Sequence, residues 1–94
     1  MTIEEAFGVT LQDLRKARKL SQEQLGFESG YHRTYISQLE RGRKSPSLRT
    51  LFQLGAALKT MPSQIVLSVE SLVFTTGGNS DQSGGDASDE DNAH

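Results

Sequence analysis

The sequence predicts an all-α fold: a bundle of five short helices over residues 1–74, followed by a disordered acidic tail over residues 75–94. Three observations carry this expectation. Ser/Thr capping signals recur ahead of apolar residues at helical spacing, whereas strand signals are sparse. The composition breaks after Phe74, where TTGGNSDQSGGDASDEDNAH offers no Lys, Arg or aromatic residue and only Ala as an apolar type. A chain of 94 residues, 34% hydrophobic, holds one domain with a modest core.

Thr2-Ile3-Glu4-Glu5 has the T-x-x-E form of a capping box and opens helix one, about residues 3–18, with Phe7, Leu11, Leu14 and Ala17 at helical spacing. Ser21-Gln22-Glu23-Gln24 is a second capping box and starts helix two, about 21–29, with Leu25 and Ser29 inward and Gly30 ending it. Helix three, about 33–41, turns Ile36, Leu39 and Glu40 inward and stops at Gly42. Pro46 breaks the following loop, and Ser47 caps helix four, which carries Leu48, Leu51, Leu54, Ala57 and Leu58. Pro62 suits the first turn of helix five, about 62–73.

The whole-chain charge of −2 hides an asymmetry. Residues 1–74 hold all ten Lys and Arg but seven acids, a formal +3, while the tail carries Asp81, Asp86, Asp89, Glu90 and Asp91. Without the tail, the charge no longer argues against a nucleic-acid partner. The tail itself reads as a segment that cannot offset its ordering entropy. The chain has no Cys, so disulfides and thiolate metal sites are excluded. The only His residues are His32 and His94, which leaves no metal-ligating pair. No nucleophile signature or phosphate-cradling loop points to an enzyme or a cofactor. Targeting and membrane-spanning patterns are lacking, so a cytoplasmic location is expected.

Ser21–Gly42, SQEQLGFESGYHRTYISQLERG, places two short helices around a tight Gly-containing turn. It resembles the helix-turn-helix of the Xre and phage lambda repressor-like DNA-binding family. FGVTLQDLRKARKLSQEQL is similar to that family's helix one into helix two, and RTYISQLERGRKSPSLRTL to its recognition helix, loop and fourth helix. The resemblance runs from about Phe7 to Leu67. Within the family, RTYIS…ERG…PSL is most similar to the small controller proteins of restriction–modification systems.

A helix-turn-helix lays its second helix in the major groove, with the N-terminal residues of that helix at the base edges. Arg33, Thr34, Ser37 and Gln38 are therefore candidate base contacts. A guanidinium fork matches guanine O6/N7, a Gln amide matches adenine, and Thr offers a hydroxyl and a methyl. The resemblance adds Tyr35 to this set. Candidate phosphate contacts are Arg18, Arg41, Arg43, Lys44, Ser45 and Ser47, joined through the resemblance by Gln22. It also implies that Arg15 and Glu40 form a buried ion pair orienting the recognition helix. His32 stands where the family often has Asp or Ser as an N-cap, and a neutral His is expected to cap poorly. Lys19 and Lys59 replace the family's usual Gly, so both helix ends need a left-handed Lys or another cap. Gly26 replaces the usual Ala, at a propensity cost of ~1 kcal/mol. Phe27 falls on an exposed side with no assigned role.

One such module contacts few bases, and helix five supplies a pairing surface. Ile65, Val66, Val69, Leu72 and Val73 form a broad apolar stripe, with Leu67 and Phe74 outside it. Val66, Val69, Leu72 and Val73 are the expected homodimer contacts. The expected function is a sequence-specific transcriptional regulator that binds a pseudo-palindromic double-stranded DNA operator. It would repress, activate or do both, which makes RNA polymerase a further candidate partner. The alternative is an antitoxin-type interaction module that grips a toxin and represses its own operon.

Overall fold

The computed structural model describes residues 1–75, and the sequence expectation for residues 76–94 lies outside them. Five helices follow in order: α1 (Ile3–Ala17), α2 (Gln22–Ser29), α3 (Arg33–Glu40), α4 (Leu48–Leu58) and α5 (Pro62–Thr75). Among the described residues there is no strand. Both expected capping boxes form. The Thr2 side chain accepts from the Glu5 N–H at 3.0 Å while Glu5 Oε1 accepts from the Thr2 N–H at 2.9 Å. Ser21 and Gln24 exchange the equivalent bonds at 3.0 and 2.7 Å. Each helix start thereby satisfies two donors that have no intrahelical partner.

The first four helices close alike, through a left-handed residue just past the end. Gly42 (φ 74°) lets Arg43 N–H reach Gln38 O at 2.9 Å, and Gly30 (φ 86°) lets Tyr31 N–H reach Gly26 O at 2.8 Å. Lys19 (φ 60°) and Lys59 (φ 56°) do the same at the ends of α1 and α4, with Leu20 N–H on Arg15 O at 3.1 Å and Thr60 N–H on Gly55 O at 2.9 Å. Both Lys residues thus take the left-handed option, in the conformation that usually falls to Gly. That conformation costs an L-residue about 1–2 kcal/mol.

The core is a single cluster of Phe7, Leu11, Leu25, Ile36, Leu39, Leu54, Ala57, Leu58 and Ile65. It lies where α1 packs on α3 and α5, α2 on α3 and α4, and α4 on α5. α1 crosses α3 closely at Gly8, where a Cβ would stand 2.4 Å from Glu40 O and 2.7 Å from Leu39 O. Of the apolar positions expected to face inward on α1 and α4, Leu14 and Leu51 are half-buried against this cluster, and two are exposed. Leu48 is 71% exposed, because α4 begins at the molecular edge and only from Thr50 onward turns a face inward. Ala17 is exposed at the C-terminal end of α1, beyond its inward-facing Arg15. α5 runs to Thr75, two residues past its expected end. Of its apolar residues only Ile65 is buried; Val69, Leu72 and Val73 are half-buried, and Val66, Leu67 and Phe74 are exposed. No helix among the described residues is long and apolar enough to cross a membrane.

Candidate nucleic-acid interface

The two helices of the motif are fixed against each other by backbone contact. Gly30 N–H and Tyr31 N–H both donate to Gly26 O, at 2.9 and 2.8 Å. Gly26 lies against the turn so closely that a Cβ there would stand 2.4 Å from Tyr31 O. Gly26 thus exchanges helix propensity for a tight approach of α2 to the turn. His32 is the N-cap of α3, and its Nδ1 accepts from the Thr34 N–H at 3.0 Å. The expectation of a weak cap is therefore amended: the imidazole supplies the acceptor that Asp or Ser would supply.

Tyr31 ties the turn to α4. Its hydroxyl lies 2.6 Å from Gln53 Oε1, to which it donates, and 2.9 Å from Thr50 Oγ1. Thr50 Oγ1 is 3.0 Å from Ser47 Oγ, which in turn accepts from the Thr50 N–H at 3.1 Å. One consistent assignment runs as a relay, Ser47 to Thr50 to Tyr31 to Gln53, with each hydroxyl donating onward. The Tyr31 and Tyr35 rings pack at a tilt, with centroids 5.1 Å apart. Of this relay only the Ser47 cap is legible in the sequence. The only signal for the rest is a Tyr in the turn with a Thr on the inner face of α4.

On the inner side of the recognition helix stands the Arg15–Glu40 pair. Arg15 Nε donates to Glu40 Oε2 at 2.6 Å and Nη2 to Oε1 at 3.0 Å, a two-pronged contact with side chains 11% and 2% exposed. Arg15 Nη1 also donates to Leu20 O at 2.8 Å, and Gln22 Nε2 donates to Glu40 Oε1 at 3.0 Å. One buried carboxylate thus gathers α1, α2 and α3, and three donors satisfy it. Fork geometry of this kind is the strong form of such a pair.

The outer side presents the candidate DNA-reading groups. Arg33, Thr34 and Arg41 are exposed, while Ser37 and Gln38 are half-buried. A shallow concavity of about 310 Å³ is lined by Gln22, Arg33, Thr34, Ser37 and Arg41. The structure thereby brings three of the expected base contacts together with two of the expected phosphate contacts. Arg43 and Lys44 follow, both exposed. Among the described residues Arg15 alone of the cations has a carboxylate within 4 Å, so Arg33, Arg41, Arg43 and Lys44 present unpaired charge.

Other expected contacts are placed differently. Tyr35 is half-buried against Tyr31 and the core rather than lining the concavity. Arg18 Nη1 donates to Ala57 O at 2.9 Å, because the last carbonyls of α4 need a donor and α1 ends beside them. Ser47 is exposed, and its hydroxyl accepts from the Thr50 N–H as the α4 cap. Ser45 lines a second, apolar groove of about 170 Å³ with Ile3, Phe7, Pro46, Leu51, Val66 and Val69. Among the described residues no cluster of His, Asp or Glu could hold a metal ion.

A family model described as Helix-turn-helix, HTH_3, matches residues 11–65. The chain belongs to the HTH_3 family. Over 77 residues it is 39% identical to the control protein C.BamHI of Bacillus amyloliquefaciens, covering 81% of this chain and 88% of that one. Over 60 residues it is 43% identical to the control protein C.SmaI of Serratia marcescens, covering 64% and 71%. Among solved structures, the restriction-modification controller protein C.AhdI from Aeromonas hydrophila matches with a TM-score of 0.65 and 40% identity, covering 66% of this chain and 94% of that one. The HTH_3 chain described here is accordingly a DNA-binding transcriptional regulator. Its helix-turn-helix, α2 and α3, falls wholly inside the matched segment.

Proposed function

We propose that this HTH_3 chain binds a pseudo-palindromic operator as a homodimer and controls a restriction–modification system. The observation that carries the reading is the two-sided character of α3. Its inner side is clamped by Glu40 to Arg15 and Gln22, while its outer side gathers Arg33, Thr34, Ser37 and Arg41 around one concavity. A reader of base edges needs both halves, because bidentate contacts reward only a helix held in fixed register. Arg33, Thr34, Ser37 and Gln38 read bases. Arg41, Arg43 and Lys44 neutralise phosphates, and the positive end of α2 adds to them at Gln22.

Pairing is supported by the apolar surface of α5. Val66 is 48% exposed and lines the second groove beside Val69, Ile3 and Phe7, while Leu72 and Val73 are half-buried further along the helix. Two copies related by a two-fold axis place their α3 helices one helical turn apart on DNA, about 34 Å. The similarity to C.BamHI, C.SmaI and C.AhdI supports the restriction–modification role.

Selection of bound sites from random duplex DNA tests the reading. The expected product is a two-fold symmetric site with half-sites about 34 Å apart; a single asymmetric half-site refutes the dimer. Val69→Asp should sediment as a monomer and lose operator affinity, and an unchanged dimer removes α5 from the interface. One observation favours a protein partner as well: Phe27 on α2 is 88% exposed. Co-purification of a toxin with the wild-type chain but not with Phe27→Ser would establish the antitoxin reading.

A further inference from the structure

Charge is divided between the folded body and the segment beyond it. All ten Lys and Arg lie within residues 1–75, whereas residues 76–94 hold five acids, no Lys or Arg, and one His, His94. Unpaired cations on the body are densest at the recognition helix. Arg33 and Arg41 line the concavity with Gln22, Thr34 and Ser37, and Arg43 and Lys44 come immediately after. The remaining exposed cations, Lys16, Lys19, Arg49 and Lys59, are spread over α1, α4 and the turns that follow them. A surface of guanidinium forks and hydroxyl donors makes charge-assisted hydrogen bonds to carboxylate oxygens by the same chemistry it offers phosphate oxygens.

We propose that the acidic segment 76–94 docks on the α3 concavity of its own chain and competes there with DNA. The proposal rests on reading that concavity as the DNA site. Reach is no obstacle, since 19 residues span at most about 65 Å and the longest dimension of the body is 36 Å. A short tether gives an effective concentration on the order of 1 mM. A contact with a dissociation constant near that value occupies the site about half the time, and one tenfold tighter lowers DNA affinity about tenfold. Because the segment blocks the free protein, operator and random DNA lose affinity by the same factor. Random DNA binding then falls below occupancy while the preferred sequence is unchanged.

The test uses the full chain and its length-matched variant D81N/D86N/D89N/E90Q/D91N. Amide NMR spectra of both chains without DNA, at low salt, are expected to differ chiefly at Arg33, Thr34, Ser37, Arg41 and Arg43. The difference should vanish at about 1 M salt, where the Debye length falls to ~3 Å. Binding to a random-sequence duplex at low salt should be about two- to tenfold tighter for the variant. Superimposable spectra over residues 33–44 overturn the proposal, even if the variant binds DNA more tightly, because simple repulsion then suffices. Spectral differences centred on Lys16, Lys19 and Lys59 overturn it too, as do differences at α3 with equal DNA affinity. If neither chain binds DNA while the spectra still differ at α3, the DNA reading of the concavity fails and the docking itself stands.

Discussion

Replacing Glu40 by Gln changes almost no volume and removes one charge from the centre of the motif. The carboxylate accepts from Arg15 Nε at 2.6 Å, Arg15 Nη2 at 3.0 Å and Gln22 Nε2 at 3.0 Å. A Gln at this position has one acceptor oxygen for three donors, and its NH₂ would face one of them. The Arg15 side chain, 11% exposed, would keep its charge with no counter-ion. Breaking a buried pair from one side costs about 3–5 kcal/mol. In a folded unit of this size 1 kcal/mol shifts the unfolding midpoint by roughly 4–8 °C, so a loss of ~12 °C or more is expected. Urea unfolding followed by circular dichroism, with an unchanged m-value, measures it. A loss under about 1 kcal/mol, the range of an exposed ion pair, would refute the claim that this carboxylate holds three helices together. The double replacement Arg15→Met/Glu40→Leu separates lost charge from lost fold, since an apolar pair of similar volume should recover most of the stability.

Two further outcomes follow from the backbone. Gly26→Ala gains about 1 kcal/mol of helix propensity but forces a Cβ to 2.4 Å from Tyr31 O. The expected net result in thermal unfolding is a loss of about 1–3 kcal/mol, and a more stable variant would contradict the close approach of α2 to the turn. Lys59→Gly relieves a left-handed Lys at a cost in unfolded-chain entropy of about 0.4–1 kcal/mol, for an expected net gain of about 0.5–1 kcal/mol. Lys19→Gly should behave alike, the two gains adding in the double variant; unchanged midpoints for both would show that these ends are not strained.

Much of this architecture was legible because it is written in local chemistry. T-x-x-E and S-x-x-Q each determine a helix start through bonds that span only three residues, and Gly30 and Gly42 close helices by their own backbone freedom. The outward face of α3 followed from helical spacing once Ile36 and Leu39 were placed inside. What depends on contacts between distant segments was harder to read. Arg18 reads as a phosphate contact because it is basic and near the motif; that its Nη1 also donates to Ala57 O depends on the packing of α1 beside the end of α4, which no local pattern announces. Ser47 caps α4 as its place before an apolar run implies, its hydroxyl accepting from the Thr50 N–H. Leu48 obeys the apolar spacing of α4 and is nonetheless exposed, since periodicity does not say where along a helix the core ends. The Tyr31–Thr50–Gln53 contacts join residues about twenty positions apart, and no local pattern announces them.

The central claim is that the outer face of α3 reads bases while the cations after it hold phosphates. Site selection from random DNA, run in parallel on the wild type, Arg33→Ala and Arg43→Ala, tests it most directly. Arg33→Ala should lose about 1–3 kcal/mol of discrimination at one base position per half-site. Arg43→Ala should keep the preferred sequence and bind more weakly throughout, with a salt slope smaller by about 1 per protomer. An Arg33→Ala variant that binds more weakly but selects the same sequence at every position would contradict the account.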